Sequence, residues 1–250
     1  MNYDDHDNLI MITSSTLDDI ERTRISAENR LRQLTRTEVD SVGEERGFGM
    51  SLSDPGVAAQ KAIVDSLSEI YKQQTKLLQK QMSQHPLGPW VKAQKGLGEK
   101  TVARLLAEIG DPYWNDLHDR PRTVSELWAY CGLHVVNGVG AKRTKGQKCN
   151  WNTTAGMRLH NIIDPIIKCR ESPYRKMYDE IKASYEGRVY DERYAGKMLN
   201  KKPIVVGQPL SKGHIESMTQ RRVKKQILLD LWLESKRINE LAEEKVLVSA

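Results

Sequence analysis

The sequence has few cysteines and almost no phenylalanine, with three Cys and one Phe among 250 residues. Cys131, Cys149 and Cys169 are too few and too widely spaced for the paired framework of a small disulfide-rich secreted domain, so we expect reduced thiols in a cytoplasmic protein. No apolar run approaches the roughly 20 residues that a membrane span requires, and we expect no membrane partner. The acidic start, MNYDDHDNLIMITSS, lacks the basic residues and apolar core of a secretion signal.

Lysine is absent from the first quarter of the chain. Residues 1–60 contain six Arg and no Lys against twelve Asp and Glu, a net charge of −6 in a chain whose total is +6. The remaining 190 residues therefore carry a net charge of +12. A basic body of this kind favours a polyanionic partner, because the displacement of counterions from phosphates drives binding. A generic solubilising surface is the alternative explanation.

The chain also has few stretches in which apolar and polar residues alternate, so we expect a mainly α fold. Two segments within residues 15–84 predict long helices that form an antiparallel coiled-coil hairpin. Ser15 or Thr16 is the expected N-cap of the first helix, which leaves residues 1–14 as an acidic tail. The apolar stripe runs through Leu17, Ile20, Arg24, Ala27, Leu31 and Leu34, and then through Ile63, Leu67, Ile70, Gln74 and Leu77. The stripe either packs within the chain or forms the seam of a homodimer.

Residues 85–170 are expected to form a compact central domain that contains a helix-hairpin-helix motif, and residues 171–250 a helical extension that ends in a long helix. Four cations of that last helix, Arg221, Arg222, Lys224 and Lys225, are expected on its exposed side. A solvated face explains these four residues better than contacts with phosphates do.

A glycine corner opens the central domain in the stretch KGLGEKTVARLLAEIGDP. Gly96 and Gly98 permit close approach of a phosphate, and the free N–H groups at the start of the following helix point at an anion. Leu97 would fill the core, while Lys100 and Arg104 would add charge beside the phosphate. This is the helix-hairpin-helix pattern for binding a nucleic-acid backbone. A corner that serves only to pack two helices is the alternative.

A second constellation follows in the stretch NGVGAKRTKGQKCNWN. Three glycines provide flexible backbone around four cations, Lys142, Arg143, Lys145 and Lys148, and Trp151 offers a face on which an unpaired base can stack. The alternative is a mobile loop without a ligand. The spacing of Cys131, His134, Cys149 and His160 matches no standard zinc site, and we expect neither a metal nor another cofactor.

With these motifs, residues 85–170 resemble the C-terminal domain of the insertion-sequence-110 family of transposases. The resemblance rests on GLGEKTVARLLAEIGDP, VSELWAYCGL, GVGAKRTKG and TTAGMRLHNII. The preceding hairpin resembles the coiled-coil segment of that family, and the domain in turn resembles the Nop domain of guide-RNA ribonucleoproteins. The resemblance implies DNA or structured RNA as the partner.

The departures from this family concern its chemistry. The family begins with a RuvC-like domain that carries catalytic acidic residues, whereas this sequence starts almost directly at the coiled coil. The family also places a nucleophilic serine in the Gly-rich stretch before the basic loop. Residues 132–143, GLHVVNGVGAKR, contain neither Ser nor Thr, although a nucleophile requires a hydroxyl there.

These observations favour a noncatalytic, dimeric protein of phage or mobile-element origin that binds the DNA backbone. One alternative is a Nop-like module that holds a guide RNA. Another is a divergent transposase or recombinase that acts with a separate catalytic subunit. A coiled-coil adaptor without nucleic acid is the third.

Overall fold

A computed structural model describes residues 3–199 and 202–249 of the chain. Helices make up 63% of the structure, which confirms the expected mainly α fold. No helix in the described ranges combines the length and the apolar content that a bilayer crossing requires.

The first two helices form the expected antiparallel hairpin. Helices α1 (Tyr3–Thr35) and α2 (Pro55–Gln84) lie side by side, with Asp7 bonded to His85 and Glu21 bonded to Tyr71. Because α1 begins at Tyr3, the predicted N-cap at Ser15 or Thr16 is wrong. Residues 3–14 belong to the helix and are not a tail, since Ile10 is fully buried there. Residues 1 and 2 lie outside the described residues.

The predicted stripe of α1 faces inward, but that of α2 is wrong at three positions. In α1, Leu17 and Ala27 are buried and the other four stripe residues are partly covered. In α2, the exposed fractions of Ile63, Ile70 and Leu77 are 48%, 43% and 43%. The inward face of α2 consists instead of Val57, Val64, Leu78 and Met82. Ile63 and Val64 are neighbouring apolar residues, so spacing alone did not decide which face of α2 turns towards α1 and towards helix α4 (Glu99–Ile109), against both of which α2 packs.

The glycine corner joins α3 (Gly88–Ala93) to α4, as expected. Leu97 is buried at the corner, and Gly110 ends α4 with a positive φ of 63°. The buried residues of α4 are Val102, Ala103, Arg104, Leu105, Leu106 and Ile109. Such wide coverage places α4 at the centre of the fold.

The remaining elements follow α4 along the chain. The helices are α5 (Val124–Tyr130), α6 (Thr153–Lys168), α7 (Pro173–Ser184) and α8 (Lys212–Ser249). Within the described residues, three antiparallel strand pairs connect them: β1 (Trp114–Asn115) with β2 (Arg120–Pro121), β3 (Val135–Val136) with β4 (Val139–Gly140), and β5 (Met198–Leu199) with β6 (Lys202–Pro203). Helix α8 buries Val223, Ile227 and Leu231 in the same core as α1, α2, α4, α6 and α7.

Candidate nucleic-acid interface

The start of helix α7 packs against the Gly96 side of the glycine corner. Gly96 has a φ of +94°, and a Cβ atom built on it would lie 3.1 Å from both Cβ and Oγ of Ser172. Ser172 is fully buried at the start of α7. Gly98, in contrast, is exposed and is the N-cap of α4, where its carbonyl accepts hydrogen bonds from Thr101 and Val102. Gly96 therefore provides packing room for α7, and only the Gly98 side of the corner is open.

The two cations of the corner point towards the helical hairpin. The Nζ atom of Lys100 lies 4.6 Å from the centroid of the Tyr71 ring and donates to the Tyr71 hydroxyl. Arg104 is buried, and its Nη2 donates to Asp18 and, at 2.7 Å, to Glu21. Both predicted phosphate ligands are thus held by α1 and α2, and Arg104 joins α4 to α1.

A β-hairpin that the sequence analysis did not identify carries the start of the basic loop. Strands β3 and β4 are joined by Asn137 and Gly138, whose φ angles of 50° and 75° are those of a tight type I′ turn. At the base of this hairpin, the His134 carbonyl accepts from the Ala141 N–H and from Arg221 of α8. The hairpin is thereby fixed on the N-terminal half of α8.

Between this hairpin, the segment that follows α7 and helix α8 lies a cleft of about 660 Å³, called here the cationic cleft. Its basic residues are Lys142, Arg188, Arg221, Arg222 and Lys225, accompanied by His214, and its aromatic residues are Tyr185 and Tyr194. Among the described residues that line it, none is acidic. Four acidic residues are close to this lining in sequence, Glu186, Asp191, Glu192 and Glu216, and two of them have basic partners of their own, since Glu216 pairs with Lys182 and Asp191 with Arg193.

No carboxylate among the described lining residues offsets the cost of partly burying the basic side chains of this cleft. Burial lowers the pKa of Arg221, and burial together with Arg221 lowers the pKa of Lys225. Beside them, burial and Arg221 lower the pKa of Lys224 from 10.5 to about 8. Burial and the charge of Lys142 also lower the pKa of His214. Cations that are partly dehydrated and lack a carboxylate destabilise the fold, and a bound anion relieves that cost.

A second cleft, of about 540 Å³, adjoins the same hairpin and is called here the tryptophan cleft. It is lined by His134, Val136, Asn137, Val139, Gly140, Ala141, Lys142, Asn150, Trp151, Lys197 and Met198. The Trp151 ring meets the His134 ring edge-on, with 5.4 Å between the centroids. Gly132 makes room for the indole, because a Cβ there would lie 2.6 Å from Trp151 Cδ1. Trp151 is therefore held in one position while still partly exposed.

The predicted loop cations do not act as one group. Lys142 lines both clefts, whereas Arg143, Lys145 and Lys148 are exposed along the loop outside the two linings. Asn152, next to Trp151, caps α6 by accepting from the Ala155 N–H, and its own N–H donates to the Tyr130 carbonyl. The structure thus brings together Lys142 and Trp151 among the predicted site residues, and separates both from the glycine corner's Lys100 and Arg104.

The expectation of a solvated basic face on α8 is wrong. Arg221, Lys224 and Lys225 are partly buried, and only Arg222 of the four is exposed. A sequence signal was present, because no Asp or Glu occurs between Glu216 and Asp230. A solvated helical face usually carries opposite charges three or four residues apart. The contributions of Arg188, Tyr185 and His214 had no comparable signal, since the fold brings them from separate segments.

Within the described ranges, no three His, Cys, Asp or Glu side chains are grouped so that they could hold a metal ion. In comparisons with known proteins, no protein-family model, no curated protein and no solved structure matches the chain.

Proposed function

We propose that the protein is a noncatalytic nucleic-acid-binding protein, related to the insertion-sequence-110 transposases and of phage or mobile-element origin. It binds the phosphate backbone of DNA in the cationic cleft. The observation that carries this proposal is the set of five basic side chains that line the cleft without an acidic one. Proteins retain such uncompensated charge where a polyanion supplies the counter-charge.

The proposal moves the binding surface away from the glycine corner. Lys100 and Arg104 are already engaged with α1 and α2, whereas Lys142 and Arg222 are exposed at the cleft. The exposed loop cations, Arg143, Lys145 and Lys148, extend the positive surface beyond the cleft. The noncatalytic part of the proposal is supported by the sequence of residues 132–143, which contains no Ser or Thr to serve as a nucleophile.

The experiment is a titration of labelled duplex DNA with the full chain, followed by fluorescence anisotropy at several salt concentrations. Wild type is expected to bind, with an affinity that falls steeply as salt increases. The double variant Lys142→Glu, Arg222→Glu should bind at least about tenfold more weakly, with a salt slope reduced by about 1 for each phosphate that is no longer neutralised.

The matched control is Lys168→Glu, Lys176→Glu, which makes the same change in net charge on exposed positions of α6 and α7 that line neither cleft. Its affinity should remain close to that of wild type. An equal loss in both variants would assign the effect to net charge, and a wild type that binds neither DNA nor RNA at low salt would contradict the proposal.

We also propose that the chain forms a homodimer through α2. The supporting observation is the exposed apolar row Ile63, Ile70 and Leu77, which repeats every seven residues in the manner of a coiled-coil seam. Analytical ultracentrifugation of the wild type should give a dimer, and Ile70→Glu should give a monomer with an unchanged helical content. A monomeric wild type at micromolar concentration contradicts the dimer and leaves the nucleic-acid proposal standing.

A further inference from the structure

The cationic cleft and the tryptophan cleft lie on opposite faces of the β3–β4 hairpin. Successive side chains of a strand point to opposite faces, and in β3 Val135 lines the cationic cleft while Val136 lines the tryptophan cleft. Residues 139–142 line both. Lys142 therefore stands at the shared edge, within reach of a ligand that occupies either cleft.

The chemistry of the two clefts is different and complementary. The cationic cleft offers charge for phosphates, whereas the tryptophan cleft combines the rings of Trp151 and His134 with the amides of Asn137 and Asn150. An aromatic face stacks on any nucleobase, and an amide supplies both the donors and the acceptor that a base edge requires. The volume of about 540 Å³ falls within the range of small-molecule sites.

Neighbouring residues hold the indole ring of Trp151 in a fixed position. Gly132, with a φ of +72°, leaves the space that the indole occupies, and the His134 ring packs against it from the side. The hydrogen bond of the Asn152 N–H to the Tyr130 carbonyl fixes the backbone next to it. A partly exposed aromatic ring that is held in place loses little conformational entropy when a flat ligand stacks on it.

We propose that the tryptophan cleft holds the base of an unpaired nucleotide, whose adjoining phosphates lie across Lys142 in the cationic cleft. The inference rests on the proposed function and makes it more specific. It distinguishes a strand with an unpaired nucleotide from a fully paired duplex, in which every base is stacked inside the helix.

The test compares two single-stranded oligonucleotides of equal length and charge, one normal and one with abasic sites throughout, in anisotropy titrations with the wild-type chain. The inference predicts that the abasic strand binds more weakly by roughly 5- to 100-fold, the loss expected when base–aromatic stacking is removed. Equal affinities overturn the inference but leave the proposed function intact, because binding then depends on the backbone alone. Absence of binding to both strands, and to duplex DNA, overturns the inference together with the proposed function.

Variants locate the effect at this cleft. Trp151→Leu should abolish the difference between the two strands, Trp151→Phe should retain most of it, and Asn150→Ala, at an exposed position, should reduce it. Thermal unfolding of each variant shows whether the fold is retained. If folded Trp151→Leu and Asn150→Ala both discriminate between the strands as well as wild type does, the base lies elsewhere and the inference is wrong.

Discussion

Two groups of buried cations in this protein differ in how their charge is neutralised. At the junction of α1, α4 and α6, Arg104 and Arg158 share Asp18, and Arg104 also binds Glu21. Beside the cationic cleft, Arg221 and Lys224 are partly buried without a described carboxylate partner. Asp18 and Glu21 neutralise the charge of the first group within the fold, whereas the second group has no described carboxylate beside it.

The pKa shifts of the two groups reflect this difference. Burial alone would lower the pKa of Arg104, but the hydrogen bonds and charges of Asp18 and Glu21 outweigh it and raise the pKa. At Arg221 burial lowers the pKa without an opposing carboxylate. A buried cation with a carboxylate partner holds helices together, whereas one whose partners are uncharged retains binding capacity for an external anion.

The largest effect on stability is expected when the carboxylate-paired group is disrupted. Asp18→Asn removes the carboxylate shared by Arg104 and Arg158, which are 10% and 5% exposed, and leaves them with a buried excess of positive charge. We expect the free energy of unfolding to fall by about 3 kcal/mol, measured by urea denaturation. The control is Asp19→Asn, whose side chain is 70% exposed and which should cost less than about 1 kcal/mol. Equal losses in the two variants would show that the carboxylate of Asp18 stabilises the fold no more than the exposed carboxylate of Asp19 does.

A smaller effect on stability, of opposite sign, is expected at the group that has no described carboxylate partner. Lys224→Met removes the charge but keeps the aliphatic part, and should stabilise the free protein by about 1 kcal/mol at neutral pH. Lys176→Met, at an exposed position of α7, is the control and should change stability little. A destabilised Lys224→Met would show that the charge of Lys224 already has a partner in the free protein.

The same variant has a defined pH dependence. The pKa of Lys224 is about 8 in the folded chain against 10.5 as the ordinary value. Between these values the unfolded chain binds a proton that the folded chain does not, so wild-type stability from this group rises with pH across that range. Urea denaturation at several pH values should show that rise reduced in Lys224→Met and unchanged in Lys176→Met.

The smallest effect on stability is expected at the mouth of the cleft. Arg222 and Lys142 are exposed, so the free energies of unfolding of Arg222→Ala and Lys142→Ala should each lie within about 0.5 kcal/mol of the wild-type value. Both should nevertheless weaken DNA binding in the anisotropy titration. A loss of stability in step with the loss of affinity would mean that these side chains serve the fold rather than a ligand.

Patterns of local sequence predicted the parts of the fold that depend on local interactions. The three-and-four spacing of apolar residues indicated the hairpin of α1 and α2, and the glycines at 96, 98 and 110 indicated the corner and the end of α4. The buried face of α2 was not predictable in this way. Ile63 and Val64 are both apolar, and only the packing of the hairpin decides which of them is covered.

The candidate site was predicted only where one segment supplies it. Lys142 and Trp151 were recognised in the basic loop, because they are close in sequence. Arg188 and Arg221 join them from the segment after α7 and from α8, at distances along the chain that no local pattern spans. Arg104 was predicted as a phosphate ligand for the same reason, since its carboxylate partners lie far away in sequence on α1.

Composition and short-range spacing were sufficient to establish the helical character of the chain and its charge asymmetry, and they supplied candidate residues for binding phosphate or stacking on a base. Which cations are neutralised within the fold, and which remain available at the cationic cleft, depended on the packing of the helices. Charge pairing requires distances of a few ångströms between segments that are far apart in the chain, and the packing of α1 against α4 and of α8 against α5, α6 and α7 sets those distances.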